Sequence, residues 1–384
     1  MKQKVSRDFL HGEIASGFEP VADVLAKFGA AESTYAAQLS IYYKGQQVVD
    51  LWGGNGISGD SITGVFSATK GVGGICIAVL IERGLLNLDA PVATYWPEFG
   101  RGKKEDVTVR QLLSHQAGLL GISGGFDLAE LVDSSKAAAK LALQIPAWRP
   151  GASHGYHAFT IGIYMDELVR RVVGESLQSF YERTIRAPRE IDFYLGLPES
   201  EEKRYVEVRV APEISNYVAM EHPDSDSLEI FAFNSRERLE DAQGRLLPNN
   251  PEIRRSGNTS IGGIGSARGL ARLYSATLDA VGGPRLFGDK TLGEVSQIQS
   301  AGVDLVLGVE KRFGIVFLKS SPAMPFGSHT AFGHDGAGGE IGFADPLYSM
   351  GFGYTVWPMT FPGGVDPRAS ALSRIARDCI SRTR

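Results

Sequence analysis

The stretch Val65-Phe66-Ser67-Ala68-Thr69-Lys70-Gly71-Val72-Gly73-Gly74 opens a run that continues to Arg83. Its apolar residues Val72, Ile75, Cys76, Val79 and Leu80 recur at helical spacing, and Gly84 is placed to end the helix. Ser67 and Lys70 stand three apart at its start, so they share a face and can touch. A serine hydroxyl is a weak nucleophile until something takes its proton; a lysine one turn away can take it, or hold its charge beside the oxygen. Ser67 also sits at the positive end of the helix, where its own N–H can face a developing oxyanion. Serine is equally a common helix N-cap, so the pair needs partners before it means chemistry. Gly71, Gly73 and Gly74 give a first hint, since each costs about 1 kcal/mol in a helix interior and implies a close neighbour.

Working outward, Glu19–Phe28 reads as a helix, and Ala36–Tyr43 and Gln46–Trp52 as strands joined by a Lys44-Gly45 turn. The middle of the chain reads as helices over Thr108–Leu113, Leu128–Leu143, Phe159–Val173 and Leu177–Arg186. From about Pro198 to Arg255 the pattern is polar and irregular. A helix returns over Ala267–Thr277, followed by strands at Phe313–Lys319, Gly339–Ala344 and Ser349–Val356 and a closing helix at Pro367–Ser381. Strands at both ends with helices between them predict an α/β (α+β) fold. Residues 1–75 and 256–384 would form a discontinuous sheet domain, and 76–255 a mostly helical insertion, with a cleft where they meet.

Composition narrows the class. The 384 residues carry a net charge of −5 without a basic run, which argues against a nucleic-acid partner. The N-terminus is polar, and no stretch approaches the roughly 18 apolar residues of a membrane span. The expectation is a soluble protein of the reducing cytoplasm, with no membrane partner. Two cysteines, Cys76 and Cys379, are too few for a disulfide framework or a cysteine zinc site. Glycine is abundant, 47 residues, and it gathers after Ser67, around Ser123, at 262–265 and at 333–342.

Two segments supply partners for the serine–lysine pair. The turn-rich loop Trp148-Arg149-Pro150-Gly151-Ala152-Ser153-His154-Gly155-Tyr156 leads into the helix from Phe159. Its Tyr156 phenol can enter a cleft, or sit half-buried on a carbonyl. Phe332-Gly333-His334-Asp335-Gly336-Ala337-Gly338-Gly339 precedes an alternating apolar run. It reads as a strand whose backbone lies near a ligand, or as an ordinary glycine-rich turn.

In this order the three pieces resemble the serine β-lactamase and penicillin-binding-protein superfamily, which carries S-x-x-K, then Y-x-N or S-x-N, then K-T-G. Val65-Phe66-Ser67-Ala68-Thr69-Lys70, Leu112-Leu113-Ser114-His115-Gln116-Ala117-Gly118-Leu119, Trp148-Arg149-Pro150-Gly151 and Gly333-His334-Asp335-Gly336 are similar to words of the class C β-lactamase-like carboxylesterases, the family VIII esterases. The resemblance runs from about residue 18 to 365. It implies a β-lactamase-like antiparallel sheet flanked by helices, and a serine hydrolase that cleaves small or short-chain carboxylic esters through an acyl-Ser67 intermediate. Ser67 would be the nucleophile, Lys70 its partner, and Tyr156 the general base toward Ser67 and later toward water. The N–H groups of Ser67 and Ala337 would form the oxyanion hole, with His334, Asp335 and Gly336 on the substrate side. No metal or organic cofactor is implied, and His115 falls in a word that is structural in the family.

Two departures stand out: Ala158 replaces the asparagine of the second motif, and His334 replaces the lysine of the third. Both point away from β-lactam hydrolysis. Unperturbed tyrosine and lysine hold their protons at neutral pH, so Lys70 and Tyr156 are read as a coupled pair sharing one. An acyltransferase, an amide or β-lactam hydrolase, and a non-catalytic protein of the same fold are the alternatives.

Other patterns carry less. Gly121-Ile122-Ser123-Gly124-Gly125 matches G-x-S-x-G, but no strand precedes it and no helix follows. His154 and His157 lack the acidic partner of a metal-binding helix. His334 and Asp335, adjacent on a strand, are expected to face opposite ways and not to form a serine-triad pair. Ile122, Phe126, Trp148 and Ile261 are candidate pocket walls. The polar stretch 205–255, with His222, Asp224, Asp226, Arg254 and Arg255, is expected to cover part of the cleft.

Overall fold

The computed structural model describes residues 2–7, 9–211, 227–234, 240–241, 243–360 and 364–383. Its strands are, in chain order, β1 (Lys2–Ser6), β2 (Leu10–Ala15), β3 (Ala36–Tyr43), β4 (Gln46–Gly53), β5 (Thr63–Gly64), β6 (Phe193–Leu195), β7 (Gly263–Gly265), β8 (Ser300–Val303), β9 (Glu310–Phe313), β10 (Leu318–Lys319), β11 (Phe332–Asp335), β12 (Ile341–Asp345) and β13 (Met350–Trp357). Ten of them form one antiparallel sheet in the order β1-β2-β4-β3-β13-β12-β11-β10-β9-β8. The β3–β4 turn takes positive φ at both Lys44 (48°) and Gly45 (73°), which suits the twist of a two-residue hairpin. β3 pairs with β13 from Tyr43↔Met350 to Ala36↔Trp357, so the two ends of the chain are spliced through the middle of the sheet.

Side chains alternate across the central strands. Phe343 and Phe352 stack on one face, with ring centroids 4.8 Å apart, and the Tyr354 hydroxyl there reaches Asp366 beside the closing helix Pro367–Thr383. The opposite face carries Gly342, Gly351 and Gly353, over which the helix Ala267–Ser275 lies very close. A Cβ on Gly353 would stand 2.2 Å from the Ala267 carbonyl, and one on Gly351 2.6 Å from that of Ala271. Beside it runs the helix Ala68–Glu82, buried on every side from Ala68 to Leu80. Its glycines meet Tyr274 at Gly71, Met165 and Thr259 at Gly73, and Phe317 at Gly74, which is the close packing their cost implied.

A second sheet, β5-β7-β6, bears directly on the site. β5 runs into Val65-Phe66-Ser67, and β7 follows Ser260. The two segments are tied by Val65 N–H to the Gly263 carbonyl (3.1 Å) and Gly263 N–H to Thr69 Oγ1 (2.9 Å).

Several elements differ from the sequence reading. Leu128–Leu143 is two helices, Leu128–Val132 and Ser134–Leu141, because Asp133 leaves helical conformation and its carboxylate caps the Ser135 N–H. Leu177–Arg186 begins as an α-helix to Tyr181 and widens into a π-turn over Glu182–Arg186. Phe313–Lys319 is not one strand. Residues 314–317 leave the sheet, with Ile315 N–H on the Val295 carbonyl and Val316 N–H on that of Leu113. β1, β6, β8 and the helix Asp289–Ser296 carried no usable pattern; β1, for example, is a mostly exposed edge strand with Val5 as its one apolar residue.

Candidate active site

Ser67 stands where β5 turns into the buried helix. The turn is tight: Phe66 adopts φ 43°, a left-handed conformation costing a β-carbon residue about 1–3 kcal/mol. Phe66 is anchored by packing with Val208, Leu246 and Met359. One turn on, the fully buried Lys70 has its Nζ 2.8 Å from Ser67 Oγ and donates to the Ser260 carbonyl at 2.8 Å. Ser260 is fixed in turn, its N–H on Asn258 Oδ1 (3.0 Å) and its hydroxyl on the Phe159 carbonyl (2.6 Å).

Tyr156 reaches the same serine, its phenol close enough for the Ser67 hydroxyl to weigh on its proton affinity. Lys70 Nζ lies 5.2 Å from the centre of the phenol ring. The ring stacks on Phe313, with centroids 6.2 Å apart and planes 12° apart, and packs against His115 and Phe233. Its backbone is clamped by Asp304, whose Oδ1 accepts from Tyr156 N–H at 3.0 Å and from Val306 and Leu307 N–H at 2.9 Å.

The third segment completes the site. β11 ends at Asp335, and the Gly336–Gly339 turn passes against the Ser67 approach so closely that a Cβ on Gly336 would stand 2.3 Å from the Val65 carbonyl. Among the described residues, the N–H groups of Ser67 and Ala337 have no acceptor. That is the condition a pair of oxyanion donors must meet.

Comparison with known proteins identifies the family. Residues 21–370 match the family model described as Beta-lactamase. The chain belongs to the beta-lactamase family. It is 31% identical over 342 residues to "Esterase/beta-lactamase LipL" of Mycobacterium tuberculosis, covering 82% of this chain and 75% of that protein. The solved structure of EstA from Arthrobacter nitroguajacolicus Rue61a superposes with a TM-score of 0.90 at 46% identity, covering 96% of this chain and 98% of that one. A family VIII carboxylesterase superposes with a TM-score of 0.85 at 33% identity, covering 96% of this chain and 99% of that one. The chain is accordingly a serine hydrolase of the beta-lactamase fold.

Within this beta-lactamase-family site, burial moves two pKa values in opposite directions. Desolvation pushes Lys70 down to about 7, against the pull of the Asp335 carboxylate. Desolvation raises Tyr156; the Ser67 hydroxyl opposes this, and the Asp335 and Asp304 carboxylates add to the rise. His334 is lowered by burial, with Asp335 opposing, so it is neutral at pH 7. Asp335 itself is held below the usual carboxylate range: burial works against its charge, but His334 and Lys311 outweigh it.

The remaining candidates fall as follows. His334 and Asp335 do meet, contrary to the strict alternation expected. Nδ1 lies 2.9 Å from the Asp335 carbonyl and 3.5 Å from its carboxylate, because Asp335 is the last residue of β11, where the pleat ends. Ser123 is exposed in a turn. His157 uses both ring nitrogens, donating to the Gly155 carbonyl and accepting from Leu119 N–H, and His115 Nδ1 accepts from His157 N–H. Trp148 spans Gly118 and Gly155 and donates to the Gln116 carbonyl. Ile261 is buried beside Ser260, and Ala158 is buried beside Phe159. Phe126 is buried and Ile122 half-buried in the loop after Gly121, which packs on Phe231 and Asn234.

Of the stretch 205–255, Phe233 reaches Tyr156, whereas Arg254 is turned to Glu202 and Asn249 and Arg255 is exposed. His222, Asp224 and Asp226 lie outside the described residues. Ser260, Asp304 and Glu340 carried no local signal in the sequence. Each acts through a contact made by folding. No helix among the described residues is long and apolar enough to cross a membrane.

Proposed function

We propose that this chain is a carboxylesterase for small, uncharged esters, working through an acyl-Ser67 intermediate. In this reading Lys70, about half of it neutral near pH 7, takes the Ser67 hydroxyl proton as Oγ bonds to the ester carbonyl carbon. The carbonyl oxygen becomes an oxyanion held by the N–H groups of Ser67 and Ala337. As the bond to the leaving alkoxide breaks, that oxygen takes the Tyr156 phenol proton, and Lys70 returns its proton to Tyr156 through the Ser67 neighbourhood. Water then attacks the acyl carbon and gives up a proton to Lys70. The acyl–Oγ bond breaks, and Ser67 regains its hydrogen. This division differs from the one the resemblance implies: burial disfavours a phenolate at Tyr156 and favours a free amine at Lys70, so Lys70 is the base and Tyr156 the acid.

His334 carries the choice of ester over β-lactam. At the position where β-lactamases have a lysine, this chain has a buried histidine held neutral with the Asp335 carboxylate beside it, so a substrate carboxylate finds no cation there. The names of two similar proteins, an esterase/beta-lactamase and a family VIII carboxylesterase, support the same reading.

The test is p-nitrophenol release from acetate and butyrate esters by wild type, Ser67→Ala and Ser123→Ala, with a cephalosporin in parallel. Ser67→Ala is expected to lose at least about 10³-fold, Ser123→Ala to stay near wild type, and the cephalosporin to be turned over far more slowly. Hydrolysis that survives in Ser67→Ala but not in Ser123→Ala would refute the mechanism; equal cephalosporin turnover would refute the ester assignment.

A pH profile tests the base. The neutral fraction of Lys70 grows as pH rises through about 7, so kcat/KM should climb with a midpoint there. A midpoint near 10 would mean that the lysine keeps its ordinary proton affinity.

A further inference from the structure

Behind the oxyanion turn lies a carboxyl group that the reaction above leaves unused. The Glu340 carbonyl closes the turn by accepting the Gly336 N–H at 2.8 Å, and its side chain folds back beneath. A Cβ on Gly336 would stand 2.5 Å from Oε2, and one on Gly338 2.2 Å from Oε1, so the carboxyl fills the space that these two glycines leave. Glu340 is fully buried. Among the described residues neither carboxyl oxygen has a hydrogen bond of normal geometry, and the N–H groups of Gly338 and of Glu340 itself are the donors within reach. The turn is otherwise held by its own Gly339 N–H to Gly336 carbonyl bond (3.1 Å) and by Ala337 packing on Phe66, Val208, Leu246 and Met359, none of which reaches under Gly336 and Gly338. Ala337, Gly338 and Gly339 carry one methyl group among them, and outside bonds come from Thr360 N–H to the Gly338 carbonyl (2.9 Å) and Asp366 N–H to that of Gly339 (3.3 Å).

We propose that Glu340 is the positioning residue of the oxyanion hole, its carboxyl wedged beneath the Gly336–Gly339 turn and setting the direction of the Ala337 N–H. The proposal rests on the reading of Ala337 as an oxyanion donor. Charge state decides whether the wedge serves. Burial raises Glu340 to about 8, and the carboxylates of Asp335, at the end of β11, and Asp366, ahead of the closing helix, act in the same direction. Asp366 is itself paired with Arg368, and the segment before Ser67 brings the uncharged Val65 carbonyl to the same turn. At pH 7 the group is the neutral acid, and the developing oxyanion meets no opposing charge behind its donor. Above about pH 8 it ionises, the turn loosens, and a negative charge stands where it raises the barrier.

The experiment measures kcat and KM for p-nitrophenyl acetate from pH 6 to 9.5 in wild type, Glu340→Gln and Glu340→Ala, with Ser67→Ala beside them. Wild-type kcat is expected to fall above about pH 8. Glu340→Gln should stay within about threefold of wild type at pH 7 and lack that fall. Glu340→Ala should lose about tenfold or more in kcat at every pH with KM nearly unchanged, since a donor misplaced by about 1 Å is costly. An alkaline limb unchanged in Glu340→Gln, or wild-type kcat in Glu340→Ala, overturns the positioning role. Activity surviving in Ser67→Ala overturns the esterase reading instead, whatever the Glu340 variants do. If Glu340→Ala shows no cooperative melting transition, the Glu340→Gln profile alone decides.

Discussion

Lys70→Met is expected to lower kcat/KM for p-nitrophenyl acetate by about 10²–10⁴-fold, the range that a positioned general base contributes. Methionine keeps the length and apolar stem of lysine but has no proton acceptor of comparable strength, so Ser67 Oγ retains its hydrogen. The loss should fall on kcat, because Lys70 Nζ touches Ser67 and the Ser260 carbonyl and lines up with no group that would grip an ester in its ground state. The variant should also lose the acid limb near pH 7, which separates a missing base from a distorted cleft. Its stability should change little. The Ser260 carbonyl loses a donor, at a cost of about 1–3 kcal/mol, while a buried amine that burial already discourages from ionising is removed. Wild-type kcat/KM in Lys70→Met, with Ser67→Ala inactive, would transfer the base to Tyr156.

Gly336→Ala carries the second large effect. The added methyl would meet the Val65 carbonyl at 2.3 Å and Glu340 Oε2 at 2.5 Å. The first is backbone on the approach to Ser67 and cannot swing aside, so the turn must move. Displacing the Ala337 N–H removes one oxyanion donor, which is worth about 10²–10³-fold in kcat. The measurement is kcat on the same ester together with a thermal melt. The decisive pattern is a large kcat loss with KM within a few-fold and a melting temperature lowered by only a few degrees. An equally stable variant with wild-type kcat would show that Ala337 N–H takes no part.

Much of the fold was legible locally. The strands β3 and β4, their Lys44-Gly45 turn and the helix after Ser67 announce themselves through period and glycine placement. Where the reading went astray, a local signal was outweighed by a distant partner. Residues 314–317 have the composition of a strand, but Ile315 and Val316 spend their N–H groups on Val295 and Leu113, and Gly314 its own on Phe317 within the segment. Asp133 breaks an otherwise continuous helical pattern by capping the helix that follows it. β6 has only three residues, and its partner β7 arrives from beyond residue 260, so no pattern within the segment could have revealed it.

The same line divides the site. The sequence by itself determined that Ser67 and Lys70 share one helical turn, because i and i+3 are neighbours on any α-helix. It also showed that glycines cluster around His334-Asp335, while leaving open whether they form a strand or a turn. Only the tertiary structure decided what those groups can do. Lys70 has its proton affinity lowered by burial and is held by the Ser260 carbonyl, 190 residues away. Tyr156 is clamped by Asp304, 148 residues away. Glu340 comes to rest, still a neutral acid, under a turn that its own carbonyl closes. Proton affinity is set by exclusion of water and by neighbours brought in from far along the chain, and neither is written in the spacing of a motif.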